Sequence, residues 1–198
     1  MDIVIGVTGA TGTIYAVKLL ETLNDINGIK THLILSDWAI KNLEIETEYK
    51  VNYLKNLANY VYDNKDLGAK ISSGSFITDG MIILPCSMKT LSSIANGYDD
   101  NLISRTAGVM IKEGRKLVLS ARETPLSPIH LENMLKLSRI GVRMVPPMPA
   151  FYNNPKTLDD IINHHIMKLL DQFNINYNKK WLKLIAKPFF ILNITNKQ

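Results

Sequence analysis

One cysteine, Cys86, stands alone in 198 residues. No intrachain disulfide framework can hold the chain, and a reducing compartment is its default setting. No apolar run approaches the ~20 residues that cross a bilayer. The start, Met1-Asp2-Ile3-Val4-Ile5-Gly6-Val7, reads as a strand and lacks the basic region of a signal peptide. These absences point to a cytoplasmic protein with no membrane span. Metal-ligand spacings of His and Cys are missing as well, so no metal is expected. The turn Gly6-Val7-Thr8-Gly9-Ala10-Thr11-Gly12 is not a Gly-x-Gly-x-x-Gly fingerprint. No Lys-Ser/Thr pair follows it, so it is not a Walker A loop either.

Charge of one sign is in modest excess, with a net +5 and pI near 9.2. The lysines and arginines are scattered rather than gathered into a stripe with aromatics, which argues against nucleic acid. A basic cleft for a phosphorylated ligand fits the excess equally well. Asn178-Lys179-Lys180-Trp181-Leu182-Lys183 is the most basic local run. It reads as a solvated amphipathic tail or an oligomer contact.

Strand and helix patterns alternate from end to end. Ile3–Val7, Thr31–Leu35, Met81–Leu84, Lys116–Ala121 and Val142–Val145 read as strands. Helices are expected around 15–23, after Ser36-Asp37, over 50–60, from Ser87 to about Ala95, over 101–115, over 127–138, and from Thr157 to about Phe173. The stretch 62–76 reads as loop. Such alternation predicts an α/β fold, a doubly wound and mostly parallel sheet of Rossmann or flavodoxin type. A single domain over 1–177 and a basic tail over 178–198 are expected.

Open α/β sheets hold ligands outside the carboxyl ends of their strands, and several chemistry-bearing segments fall there. Arg122 and Glu123 follow the strand Lys116–Ala121. Thr124-Pro125 then breaks the chain before a serine cap at Ser127 and proline at the first helical position, Pro128. The Gly6–Gly12 turn can bring the amino end of the first helix to an anion. Ser87-Met88-Lys89-Thr90 opens another helix at the same edge, although Ser87 is also an ordinary N-cap. Cys86 has no nearby His and reads as a buried thiol rather than a nucleophile. Ser72-Ser73-Gly74-Ser75 is a polar connector able to close over an anion. Arg105 and Lys112 are seven apart on one helix, hence on one face. They are either solvated or, with Arg122, a clamp for an anionic leaving group.

Taken together, the segments GVTGATGTIY (6–15), SSGSF (72–76), PCSMKTL (85–91), NLISR (101–105), RETPLS (122–127), HLENMLKL (130–137) and PPMPAFY (146–152) resemble the flavin prenyltransferase family of UbiX type. The likeness runs from the first residue to about Phe173. It implies transfer of the dimethylallyl group of dimethylallyl phosphate to N5 and C6 of reduced FMN. The product is prenylated FMN, cofactor of UbiD-type decarboxylases. It implies an FMN site at Gly9, Ala10, Thr11, Ser36, Ser87, Met88, Lys89, Thr90 and Arg122. The prenyl-phosphate site falls at Tyr152 and Lys168, with Arg105, Lys112, Ser73 and Gly74. Catalytic roles fall to Glu123, as acid/base, and to Thr11, Lys112 and Arg105. A homo-oligomer, possibly a dodecamer, is implied too. Thr11 stands where serine is common, and Lys168 where arginine is often found, keeping the charge without the bidentate fork. Gly114 interrupts a usually more basic run, and Arg143 replaces an apolar residue. Two alternatives remain: a flavin-binding, non-catalytic subunit of a decarboxylase assembly, and an FMN-dependent cysteine-type decarboxylase. Against the latter, His32 lies inside a strand and the Pro-x-Met-Asn-x-x-Met-Trp motif is missing.

Overall fold

In a computed structural model of the chain, residues 1–176 are described; the basic run from Asn178, Trp181 included, lies outside them. Strand β1 (Asp2–Val7) leads through α1 (Thr13–Asn24) to β2 (Lys30–Leu35). Then come α2 (Asp37–Glu46), α3 (Val51–Leu57), β3 (Tyr60–Asp63) and one turn of 3-10 helix at Lys70–Ser72. The second half runs β4 (Gly80–Cys86), α4 (Met88–Ala95), α5 (Leu102–Lys112), β5 (Lys116–Ala121), α6 (Pro128–Arg139), β6 (Arg143–Met144) and α7 (Leu158–Asp171).

The six strands form one parallel sheet in the order β3-β2-β1-β4-β5-β6. That is the Rossmann order 3-2-1-4-5-6; without the short edge strand β3 it reads as the flavodoxin order 2-1-3-4-5. The chain winds one way from β1 and the other way from β4. The switch point therefore lies between those two strands. Central strands buried on both faces explain the unbroken apolar runs of the sequence: all seven residues of β4 are buried. Val4, Met81, Ile83, Leu117 and Leu119 pack in one core with α4, α5 and α6. Residues of the other parity, Ile3, Ile5, Ile82 and Val118, are also fully buried and face the side away from that core.

One expectation needs correction. The sequence reading gave five strands, with helix over 50–60 and loop from 62. In the structure the helix ends at Leu57, and Tyr60–Asp63 is a sixth, edge strand pairing His32 with Tyr60 and Leu35 with Asp63. Four mostly exposed residues carry too little apolar periodicity to be seen alone. They are held by β2, whose buried His32 stacks on Tyr60 at 4.7 Å and bonds the Tyr62 hydroxyl at 2.9 Å. The described chain falls into two compact units, Met1–Met148 and a second beginning at Pro149. The sheet lies wholly in the first, and α7 belongs to the second.

Burial holds several histidines neutral. It is the main cause lowering the pKa of His32, and in α7 it takes His165 down to about 4, with some help from His164. A group depressed in the folded state gives stability that is present above its unfolded pKa and lost as pH falls towards its folded one. Urea midpoints should therefore drop as pH is lowered from 6.5 towards 4, with His165 accounting for about 3 kcal/mol at most. His165→Gln should flatten that slope; an unchanged slope would assign the acid sensitivity to other groups.

Candidate active site

At the switch point the carboxyl ends of β1 and β4 are tied by Thr8. Its hydroxyl donates to the Pro85 carbonyl at 2.8 Å and accepts from the Ser87 amide at 2.8 Å. Beside this tie opens a cavity of about 320 Å³ lined by Thr8, Gly9, Ser36, Ser87, Lys89 and Thr90, with Trp38, Asn64 and Asn101 at its sides. Three helices start on it. Ser36 caps α2 by accepting from Ala39, Ser87 caps α4 by accepting from Thr90, and Asn101 caps α5 in a capping box with Ser104. Asn64 secures the third by accepting from the Leu102 and Ile103 amides. Converging helix N-termini carry partial positive charge, and Lys89 adds a full one. The cavity is built for an anionic group.

The fourth helix behaves differently. The glycine turn before α1 was expected to offer its N–H groups to a ligand anion. Instead the Glu46 carboxylate, from the last residue of α2, accepts from the Gly12 and Thr13 amides at 2.9 and 3.0 Å and from the Thr13 hydroxyl at 3.0 Å. Burial raises the Glu46 pKa, but hydrogen bonds from Thr11, Gly12 and Thr13 outweigh it, and the net shift is downward. The α1 terminus is thus occupied from within the chain, and Glu46 touches the Thr11 side chain. Thirty-four residues separate Glu46 from Gly12, so no local motif announces the contact.

Arg122 continues from β5 alongside β4, its amide donating to the Cys86 carbonyl at 3.0 Å. That puts Arg122 beside Ser87 at the crevice edge. Glu123 follows at the same sheet edge, exposed, with its Oε1 accepting from the Thr124 amide. Cys86 is fully buried, and burial pushes its thiol up to about 12. It is a packing residue.

Arg105 and Lys112 are not among the residues that line this crevice within the described chain. Both line a separate groove of about 330 Å³ floored by Ile94, Val109 and Leu137, between α4, α5 and α6. At ~1.5 Å per residue, Lys112 lies roughly 15 Å along α5 from the capped end at the crevice. Arg105 meets Asp99 at 3.5 Å, and Lys112 meets Glu113 at 2.7 Å. Ser73 and Gly74 belong to this end of α5 too. Arg115 donates to the Gly74 and Phe76 carbonyls, and a Cβ on Gly74 would collide with the Glu113 carboxylate.

The Flavoprotein family model matches residues 1–169. The chain is 55% identical over 181 residues to the flavin prenyltransferase LpdB of Lactiplantibacillus plantarum, covering 90% of this chain and 97% of that one. The chain belongs to the UbiX-type flavin prenyltransferase family. Among solved structures, the dodecameric FMN-dependent UbiX-like decarboxylase of Escherichia coli O157:H7 superposes with a TM-score of 0.88 at 54% identity, covering 89% of this chain and 96% of that one. AnUbiX (PadA1), in complex with FMN and dimethylallyl pyrophosphate, gives 0.86 at 47% identity over 90% and 97%.

Tyr152 and Lys168, expected at the prenyl phosphate, lie in the second unit. Tyr152 precedes α7, and its hydroxyl meets Nε2 of His164 at 2.8 Å with the rings edge to face. Lys168 is one turn beyond His164, where its charge adds to burial in lowering the His164 pKa, and it pairs with Asp171 at 3.6 Å. His164, Thr8, Glu46 and Asn64 were all missed by sequence reasoning. Each acts on a residue far away in the chain, and only Thr8, first after a strand at the switch point, carried a local signal. In this prenyltransferase, Glu46→Ala should cost about 1–2 kcal/mol in urea unfolding by stripping the cap from α1. Glu46→Gln, keeping an acceptor, should cost less. Equal losses would show that shape rather than capping matters there.

Proposed function

We propose that this chain transfers the dimethylallyl group of dimethylallyl phosphate to N5 and C6 of reduced FMN, releasing phosphate and giving prenylated FMN for a UbiD-type decarboxylase. The observation that carries the reading is the crevice where three capped helix N-termini and Lys89 converge, with the Arg122 amide bonded to Cys86, the neighbour of Ser87. Hydroxyl and amide donors without a carboxylate in the lining suit a flavin phosphate. Reduced FMN, when bound, supplies the nucleophilic ring atoms. Gly9, Ala10, Thr11, Ser36, Ser87, Met88, Lys89, Thr90 and Arg122 hold it. Tyr152 and Lys168 take the prenyl phosphate, with the Tyr152 ring suited to a developing allylic cation.

Departure of the phosphate needs positive charge and a proton. Arg105, Lys112 and Lys168 supply charge in place of a metal. The Glu123 carboxylate accepts the proton lost from N5 and returns it to phosphate oxygen. The length of α5 keeps Lys112 from its own crevice, and Arg105 lines the groove with it, so both, with the Ser73-Gly74 loop, serve the crevice of a neighbouring copy. The functional unit is a homo-oligomer, a dodecamer like its Escherichia coli relative.

Anaerobic incubation with reduced FMN and dimethylallyl phosphate should yield a flavin heavier by one C5H8 unit. Recovery of unmodified FMN alone would count against the reading. Glu123→Gln should bind FMN and lose turnover. Lys112→Ala should impair use of the phosphate substrate more than FMN binding. Co-assembly of these two variants should raise turnover above that of either alone, because some crevices then receive both side chains; no gain would confine each site to one subunit.

A further inference from the structure

Trp38 is 63% exposed in the first turn of α2. A lone exposed apolar side chain needs no explanation, but three observations set this one apart. It lines the same cavity as Ser36, Ser87 and Asn101, the caps that make the anion cradle, and it is the aromatic residue of that lining. Its stem occupies space that Gly9 leaves open: a Cβ built on Gly9 would lie 2.5 Å from the Trp38 Cβ, far inside contact distance. Finally, the Lys41 ammonium lies 4.6 Å from the ring centroid, a cation–π contact that restrains the indole from one side.

These observations assign a purpose to Gly9 that differs from the usual one. Glycine at a strand-to-helix turn commonly lets backbone approach a phosphate. Here the missing Cβ lets the turn close onto Trp38, while the α1 terminus behind it is already filled by Glu46.

We infer that Trp38 determines specificity for the phosphorylated flavin, its indole walling the phosphate end of the crevice from water, with Gly9 as its seat. The inference rests on the reading that the crevice holds FMN. A phosphate at helix N-termini is held by dipoles and hydrogen bonds that strengthen as water is excluded and the local dielectric falls. The indole of Trp38 extends from the first turn of one of those helices, where a dry wall has that effect. Lys41 holds its ammonium against the indole.

The test is a titration of the full-length protein with FMN and with riboflavin, which lacks the phosphate, followed by flavin fluorescence. Trp38→Ala should weaken FMN binding about tenfold, near 1.4 kcal/mol, and change riboflavin binding less than about twofold. Trp38→Phe should retain most of the FMN affinity. Gly9→Ala should weaken FMN as Trp38→Ala does, and the double variant should lose little more than either alone. Equal losses for FMN and riboflavin would overturn the inference by placing the indole on the flavin ring. Unchanged FMN affinity in Trp38→Ala would overturn it outright, and strictly additive losses would remove the role given to Gly9. The Trp38 variants carry the test if Gly9→Ala fails to fold. Failure of the wild type to bind FMN would remove the functional reading itself, a different outcome from any of these.

Discussion

The crevice depends on one side chain at the fork of the sheet. Two parallel strands that part company leave their last amides and carbonyls without ladder partners, and buried backbone groups must find others. Thr8 meets that need by donating its hydroxyl to the Pro85 carbonyl and accepting from the Ser87 amide. Its own amide also reaches Pro85. The tie fixes where β4 ends, hence where Ser87 sits, hence where α4 begins. It also fixes the direction in which the Gly9–Gly12 turn leaves β1.

From that fork follows a division of labour among four helix ends. All belong to helices that follow strands or border the carboxyl edge, and all carry the same partial charge. Glu46 satisfies α1 permanently with a carboxylate of the chain. The starts of α2, α4 and α5 are capped by neutral Ser36, Ser87 and Asn101; at α2 and α4 the cap takes one amide, while at α5 Asn64 accepts from two more. The α2 and α4 termini thus keep donors and no negative charge, whereas the α1 terminus carries a carboxylate that repels an anion. The same carboxylate that closes α1 to the ligand also touches Thr11, so the stiffness of that loop and the placement of its hydroxyl have a common cause.

The cations of α5 follow a different logic. Arg105 and Lys112 lie on one face of the helix, as their spacing requires, but that face looks onto the groove with α4 and α6 rather than the crevice at the helix start. A rigid helix cannot present its two ends to one cavity. The Gly74 loop is fastened to the far end by Arg115 and so travels with Lys112. Lys136, on α6, lines the same groove, which sets three cations and Asp99 around an apolar floor.

Most of the architecture was legible in the sequence because buried parallel strands and capped amphipathic helices leave local signatures. Ile3–Val7, Lys116–Ala121, Ser87 before α4 and Ser127-Pro128 before α6 are read from neighbouring residues, and the physics that fixes them is short-ranged. The edge strand Tyr60–Asp63 was not legible, because its stability comes from pairing with β2 and from His32, about thirty residues away. The residue set proposed for the flavin site comes from family motifs in the sequence. Its internal connections were not. That Glu46 closes α1, that Gly9 seats Trp38 and that Lys112 stands at the wrong end of α5 for its own crevice were decided by tertiary structure alone. Each depends on which distant elements the sheet order brings together, and helix or strand periodicity does not encode that.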